Sequence, residues 1–350
     1  MIKPVRLQLS RKRGAKLVSP NGLLIVICDR RSKWGNLFVI GERMIIANPQ
    51  NKIQNRMENK NRLSLRSSQL SQTKVGIYID EANIRSNGGY GMQYDILREF
   101  VCHDGAEPVR LNVYATFDPR RAHEDQLYQV KTNRFFAMLR NMGYKVIIKN
   151  YKWYTDEEGK AYAKANSDLD MAVDALLQSE NLERVVMCTG DGDFVQVVRA
   201  LQNKGCRVEI LAFDNISNDL RREADVFFSG YLIPKLLPTR SIFGPGLIKE
   251  WGEEGSRVRG VCYAYKHEGK YGFLRFLKNL SGNLWITDTR HPQSPYAAVY
   301  FYESELPREV SPMELPDHEL IFEFDLHIQE INKEKKLQAR NMQVVSALDY

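Results

Sequence analysis

The feature that most restricts this chain lies between residues 73 and 213, where short apolar runs alternate with segments of helical period. K-V-G-I-Y-I-D ends on Asp80, V-R-L-N-V-Y-A-T-F covers 109–117, and K-V-I-I-K-N covers 145–150. R-V-V-M-C-T begins at Arg184, and C-R-V-E-I-L-A-F covers 206–213. Between them, residues 127–143 place Leu127, Val130, Phe135, Met138, Leu139 and Met142 at helical spacing and stop at Gly143. A second helix is expected at 167–179, with Ser167 and Asp170 in capping-box positions, and a third at 194–205, also closed by glycine. Strands alternating with helices predict an α/β fold, a parallel sheet with helices on both faces. Right-handed crossovers gather the carboxyl ends of such strands at one edge, where ligands bind.

Aspartates fall at that edge. Asp80 closes the first strand, and Asp191 and Asp193 follow the fourth within T-G-D-G-D-F. Asp168 opens a helix that also carries Asp170 and Asp174. If the first and fourth strands are neighbours, these carboxylates converge, and like charges at short range need a counter-charge. Oxygen-only ligands select Mg²⁺ or Mn²⁺, an ion able to polarise a phosphoryl oxygen and activate water. Asn83 and Thr189 are placed to orient the phosphate or water, and Gly190 and Gly192 leave backbone amides open to an anion. Each residue alone has an ordinary role. Asp80 caps a loop, Asp168 and Asp170 are first-turn acids favoured by the helix dipole, Asp174 lies on a solvated face, and T-G-D-G-D is a turn.

Taken in order, I-Y-I-D-E-A-N, K-A-N-S-D-L-D-M-A-V-D and V-M-C-T-G-D-G-D-F resemble three signatures of the NYN domain, LabA-like branch of the PIN-like nuclease superfamily, over residues 74–238. The resemblance implies a PIN-like sheet and a Mg²⁺- or Mn²⁺-dependent ribonuclease. By position it makes Asp80, Asp168, Asp191 and Asp193 metal ligands, with Asn83 as the companion of Asp80 and Asp174 as an outer partner; Thr189 joins the catalytic set through its hydroxyl beside the acids. Asn166 stands where the family often has glycine.

Beyond Arg257 the pattern changes to short alternating runs: V-R-G-V-C-Y-A-Y, Y-G-F-L-R-F, N-L-W-I-T, A-V-Y-F-Y, L-I-F-E-F-D-L-H-I and A-R-N-M-Q-V-V. These predict a small all-β barrel. Tyr271 and Phe273 share one face of a strand, as do Tyr300 and Tyr302. Such rings are either barrel core or an exposed ladder for unpaired bases, extended by Tyr263, Lys270 and Arg275. R-G-V-C-Y-A-Y-K-H-E-G-K-Y-G-F-L-R-F and A-V-Y-F-Y-E-S-E-L resemble strands of a cold-shock domain, an OB-type barrel. That resemblance implies an outward, RNA-binding placement for Tyr271, Phe273, Tyr300 and Tyr302. Residues 241–350 hold 13 basic and 16 acidic residues, so phosphate attraction there is weak.

The formal charge of +7 is carried by residues 1–74, at +13, against −6 for 75–350. The basic segment either attracts nucleic acid or is a solvated leader. Within it, R-S-K-W-G-N-L-F-V-I-G resembles a phage-associated domain of unknown function, with Leu37 in place of a proline. Residues 47–73, rich in Asn, Gln and Ser, predict a linker. No apolar run suits a membrane span and no signal-peptide pattern is present. Five scattered cysteines suit free thiols in the cytoplasm. The expected division is a basic segment and linker (1–73), a nuclease domain (74–238), a linker (239–255) and a barrel (256–350). The expected function is an endoribonuclease acting on single-stranded RNA, with DNA not distinguished by the acids and a homodimer among its forms. A non-catalytic RNA-binding regulator and a protein-interaction adaptor are the alternatives.

Overall fold

The computed structural model describes residues 72–155, 161–164, 167–239, 249–280, 283–331 and 334–345, with four short strands among the first 71 residues. The chain divides into two compact units, Met1–Ser71 and Gln72–Tyr350. In the first, β1 (Lys16–Val18) pairs antiparallel with β2 (Leu24–Val26), and β3 (Leu37–Ile40) with β4 (Arg43–Ile46). The stretches expected as linkers lie outside the described residues at 47–71 and 240–248.

The second unit opens with β5 (Lys74–Asp80), α1 (Glu81–Ser86), α2 (Tyr94–Val101) and β6 (Glu107–Phe117). Next come α3 (Pro119–Glu124), α4 (Gln126–Asn141), β7 (Lys145–Asn150) and a hairpin of β8 (Lys152–Thr155) with β9 (Ala161–Lys164). Then follow α5 (Asp168–Gln178), β10 (Arg184–Cys188), α6 (Val195–Asn203), β11 (Arg207–Ala212), α7 (Asn218–Glu223) and β12 (Val226–Ser229). Six strands form one sheet in the order β12-β11-β10-β5-β6-β7, and every pairing is parallel. The chain builds outward from β5 through β6 and β7, then returns to the other side of β5 with β10. The reversal of strand order therefore falls between β5 and β10, where an open α/β sheet binds its ligand.

Alternation along the strands fills two cores. Val75, Ile77, Ile79, Val186 and Cys188 pack with Leu97 and Phe100 of α2 and Leu139 of α4. Tyr78, Val185 and Met187 pack on the other face with Met171 and Ala175 of α5 and Val198 and Leu201 of α6. Both faces are covered, which is why the strands read as continuous apolar runs. Ser167 precedes α5, but its side chain makes no capping bond, so the expected capping box does not form.

A closed five-stranded barrel follows: β13 (Arg257–Lys266), β14 (Tyr271–Leu277), β15 (Tyr296–Tyr302), β16 (Ile321–Ile331) and β17 (Glu334–Val344), in the order β13-β14-β15-β17-β16. Only β15 and β17 run parallel, and the barrel fits an OB fold. The expected strand N-L-W-I-T at 283–287 is not one. Leu284 is buried in the first core of the sheet domain, and the Arg207 guanidinium lies 4.8 Å from the Trp285 ring centroid. Those two apolar side chains dock the barrel on the sheet.

Candidate active site

Ile79 of β5 and Cys188 of β10 are paired in register, so the next residues of the two strands, Asp80 and Thr189, emerge side by side at the switch point. Asp80 caps α1. Its Oδ1 accepts the Asn83 backbone N–H at 3.1 Å, and its Oδ2 accepts the Thr189 hydroxyl at 3.4 Å. Thr189 Oγ1 in turn accepts the Asp191 N–H at 3.2 Å, and Asp191 Oδ1 accepts the Asp193 N–H at 2.9 Å. The Asn83 side-chain oxygen accepts the Gly190 N–H at 2.9 Å, tying α1 to the T-G-D-G-D turn.

Only 5% of Asp80 is exposed. Burial pushes its carboxyl up to about 6, the Asp168 and Asp191 charges push the same way, and the bonds from Asn83 and Thr189 oppose them. Asp168 is also raised, first by burial and then by Asp191 and Asp193. Acids from three elements therefore feel one another at one edge. Asp193 is the outermost, exposed and acting on Asp168 rather than Asp80. Nearby cations are engaged elsewhere: Lys149 pairs with Asp170 at 2.7 Å and Arg85 with Glu81 at 2.9 Å. Glu81 follows Asp80 in the chain and is buried, its carboxyl raised by that burial and lowered in part by Arg85.

The donor chemistry, all oxygen, suits a hard divalent ion. Among the described residues, however, no three His, Cys, Asp or Glu side chains are gathered closely enough to hold an ion in this arrangement. Other expectations change more. Thr189 is fully buried, so its hydroxyl braces Asp80 and receives Asp191 rather than facing a substrate. The Gly190 amide is spent on Asn83 and does not wait for an anion. A Cβ on Gly190 would stand 3.2 Å from the Ile216 Cα, and one on Gly192 would stand 2.8 Å from the Ser217 Oγ. The glycines thus admit the 215–217 segment, not a phosphate. Asp174 accepts the Tyr114 hydroxyl at 2.9 Å.

On the barrel, Leu274, Phe276, Val299 and Phe301 point inward, and the alternate residues form an outer ladder. Tyr271 faces Tyr302 and Phe273 faces Tyr300 across β14 and β15. A bulge between Cys262 and Ala264 turns Tyr263 toward Phe273, with ring centroids 6.3 Å apart. The Arg275 guanidinium lies between Tyr263 and Tyr296, 6.0 and 5.5 Å from their centroids. Tyr300 is on this face but only 8% exposed, and its hydroxyl bonds Gln329. Lys270 is exposed at the hairpin and lies 3.7 Å from Glu303.

The domain is a parallel α/β sheet whose strand order reverses where Asp80 and Thr189 stand side by side. Residues 74–236 match the family model of the NYN domain. The low amplitude and bright protein LabA of Synechococcus elongatus is 26% identical over 161 residues, 44% of this chain and 81% of that protein. A protein of unknown function from Vibrio parahaemolyticus, known by crystal structure, is 26% identical, with a TM-score of 0.37 over 45% of this chain and 93% of that one. Among the described residues no helix is long and apolar enough to cross a membrane.

Proposed function

We propose that this protein is a metal-dependent endoribonuclease of the cytoplasm that cuts single-stranded RNA at the β5–β10 edge. The observation that carries the reading is the electrostatic coupling of Asp80, Asp168 and Asp191, three acids brought from three elements to the switch point. Asp80, Asp168 and Asp191 would hold Mg²⁺ or Mn²⁺, with Asp193 at the rim. Bound there, the ion supplies Lewis acidity toward a phosphoryl oxygen and an activated water. The chain's own part is positional. Thr189 and the Asn83 N–H fix both oxygens of Asp80, and the Asn83 carbonyl fixes the turn that carries Asp191. The outer ladder of the barrel would hold unpaired bases, each stacking contact contributing about 1–3 kcal/mol.

A labelled single-stranded RNA, incubated with Mg²⁺ and with EDTA, tests the reading. Cleavage is expected only with the metal, and Asp191→Asn is expected to abolish it while leaving the circular dichroism unchanged. Wild-type cleavage rates in Asp191→Asn would sink the site assignment. The open spacing of the acids favours one second reading, a non-catalytic RNA-binding regulator, which predicts RNA affinity without turnover in either buffer.

A further inference from the structure

A groove of about 1000 Å³ opens at the same carboxyl edge, on the β6 and β7 side. Tyr90, Tyr128, Tyr151 and Trp153 line it, with Arg85 and Arg121. It meets the acidic edge at Glu81, which follows Asp80, and at Asp118, which follows the strand paired with β5. Tyr90 is 67% exposed, and Tyr128, Tyr151 and Trp153 are half-buried along the wall. Two of them carry guanidinium groups: Arg121 lies 4.5 Å from the Tyr128 centroid and Arg120 lies 4.9 Å from that of Trp153. The Trp153 indole N–H is buried, with no hydrogen-bond partner among the described residues. On the lining itself Arg85, Arg121 and Lys131 stand against Glu81, Asp118 and Asp125, and the cationic excess lies in the segment that builds the groove wall. Residues 119–155 hold eight Lys and Arg against two acids, within a region, 75–350, that sums to −6.

We propose that this groove is the track along which single-stranded RNA reaches the Asp80 edge, its bases stacked on the Tyr90 and Trp153 rings and its phosphates met by Arg121 and neighbouring cations. The proposal rests on the nuclease reading of that edge. Rings with interleaved cations are what an unpaired strand requires, since every base has a π-face and every linkage a charge. An apolar protein segment would cover the rings but leave the positive charge of 119–155 unanswered.

The test is fluorescence anisotropy of the full chain with a labelled single-stranded RNA in EDTA, across a salt series. Tyr90→Ala and Trp153→Ala are each expected to weaken binding by roughly 5- to 100-fold. Tyr90→Phe keeps the ring and is expected to bind as wild type. Arg121→Ala is expected to reduce the salt slope by about 0.7. Tyr90 is a surface residue, so its truncation reads out even if Trp153→Ala unfolds. Wild-type affinity in Tyr90→Ala and in folded Trp153→Ala overturns the proposal, as does a wild-type chain with no affinity for RNA. So does a loss of self-association in these variants with RNA affinity unchanged, which would make the groove a protein surface. Binding in EDTA needs no turnover. An Asp191→Asn chain that cleaves normally therefore removes the site assignment and leaves the groove standing.

Discussion

Asp80 is a carboxylate shut off from water and faced by two other acids, so the fold holds it more easily protonated than ionised. Its carboxyl is pushed up to about 6 in the folded chain, against about 3.9 unfolded. Across that window the folded form binds more protons than the unfolded one, so stability falls as pH rises, and the full cost is present above the upper value. Asp80→Asn removes the charge and keeps the shape. In EDTA at pH 7.5 it is expected to be more stable than wild type by on the order of 1–3 kcal/mol, a gain that disappears toward pH 4. Urea denaturation at both pH values checks this, and a variant less stable than wild type at pH 7.5 would refute it. Mg²⁺ is expected to raise the wild-type melting temperature and not that of Asp80→Asn. At this scale the sequence was legible for the acids, because strand ends carry them to one edge whatever the side-chain detail. It was not legible for Asn83, Thr189 or Gly190. Their partners are one another and Asp80, and only the juxtaposition of β5 with β10 reveals that their polar groups are already used.

The turn after β10 is an element held from both sides, by α1 through Asn83 and by the segment before α7 through Ser217, whose N–H donates to the Gly190 carbonyl at 2.9 Å. Gly190→Ala would press a methyl on the Ile216 backbone, which cannot move aside as a side chain end can. The expected cost is about 1–3 kcal/mol, read as a lower urea midpoint with an unchanged slope. The substitution is also expected to slow any cleavage, because the turn carries Asp191. Elements whose apolar pattern is complete were read correctly from the sequence: β5, β10 and β11, and the sixteen-residue α4. The helices α1, α3 and α7 have six residues each, fewer than two turns, so no period had room to appear. The opposite error, a strand at 283–287, arises because the apolar Leu284 and Trp285 meet the sheet domain and not a ladder partner.

At the scale of the whole second unit, the barrel and the sheet domain share more than a chain connection. Leu277 and Leu284 belong to the same core as Leu97 and Phe100 of α2. Arg259, fully buried in β13, donates to the Pro238 carbonyl at 2.6 Å and to Glu323 at 2.7 Å, and Arg257 donates to the same carboxylate at 2.7 Å. Burial alone would raise the Glu323 carboxyl, but the two guanidinium groups outweigh it and hold it below its ordinary value. Its folded form therefore stays ionised where an unfolded glutamate has begun to take up protons. The stability this pair supplies is present above the usual glutamate range and is lost as pH falls through the lower folded value. Glu323→Gln removes the carboxylate that Arg257 and Arg259 share, leaving Arg257 its second partner, Asp325, at 3.0 Å, and the expected cost at pH 7 is about 3 kcal/mol. The same substitution is expected to flatten the acid limb of the stability curve, which denaturation at pH 7 and pH 3 would show. The shared core makes a further demand. If the two parts fold together, probes in each should report one transition, and a charge placed in the shared core should separate them. Leu284→Asp sets an unpaired carboxylate among Phe100, Leu97 and their neighbours while touching neither the sheet ladder nor the barrel ladder. Hydrogen exchange across a thermal ramp is expected to show a single cooperative loss of protection in wild type. In Leu284→Asp, β13–β17 and β5–β12 should lose protection at different temperatures. Two separate transitions already present in wild type would mean that the docking face transmits nothing, and the ladder on the barrel could then hold RNA without any fixed relation to Asp80.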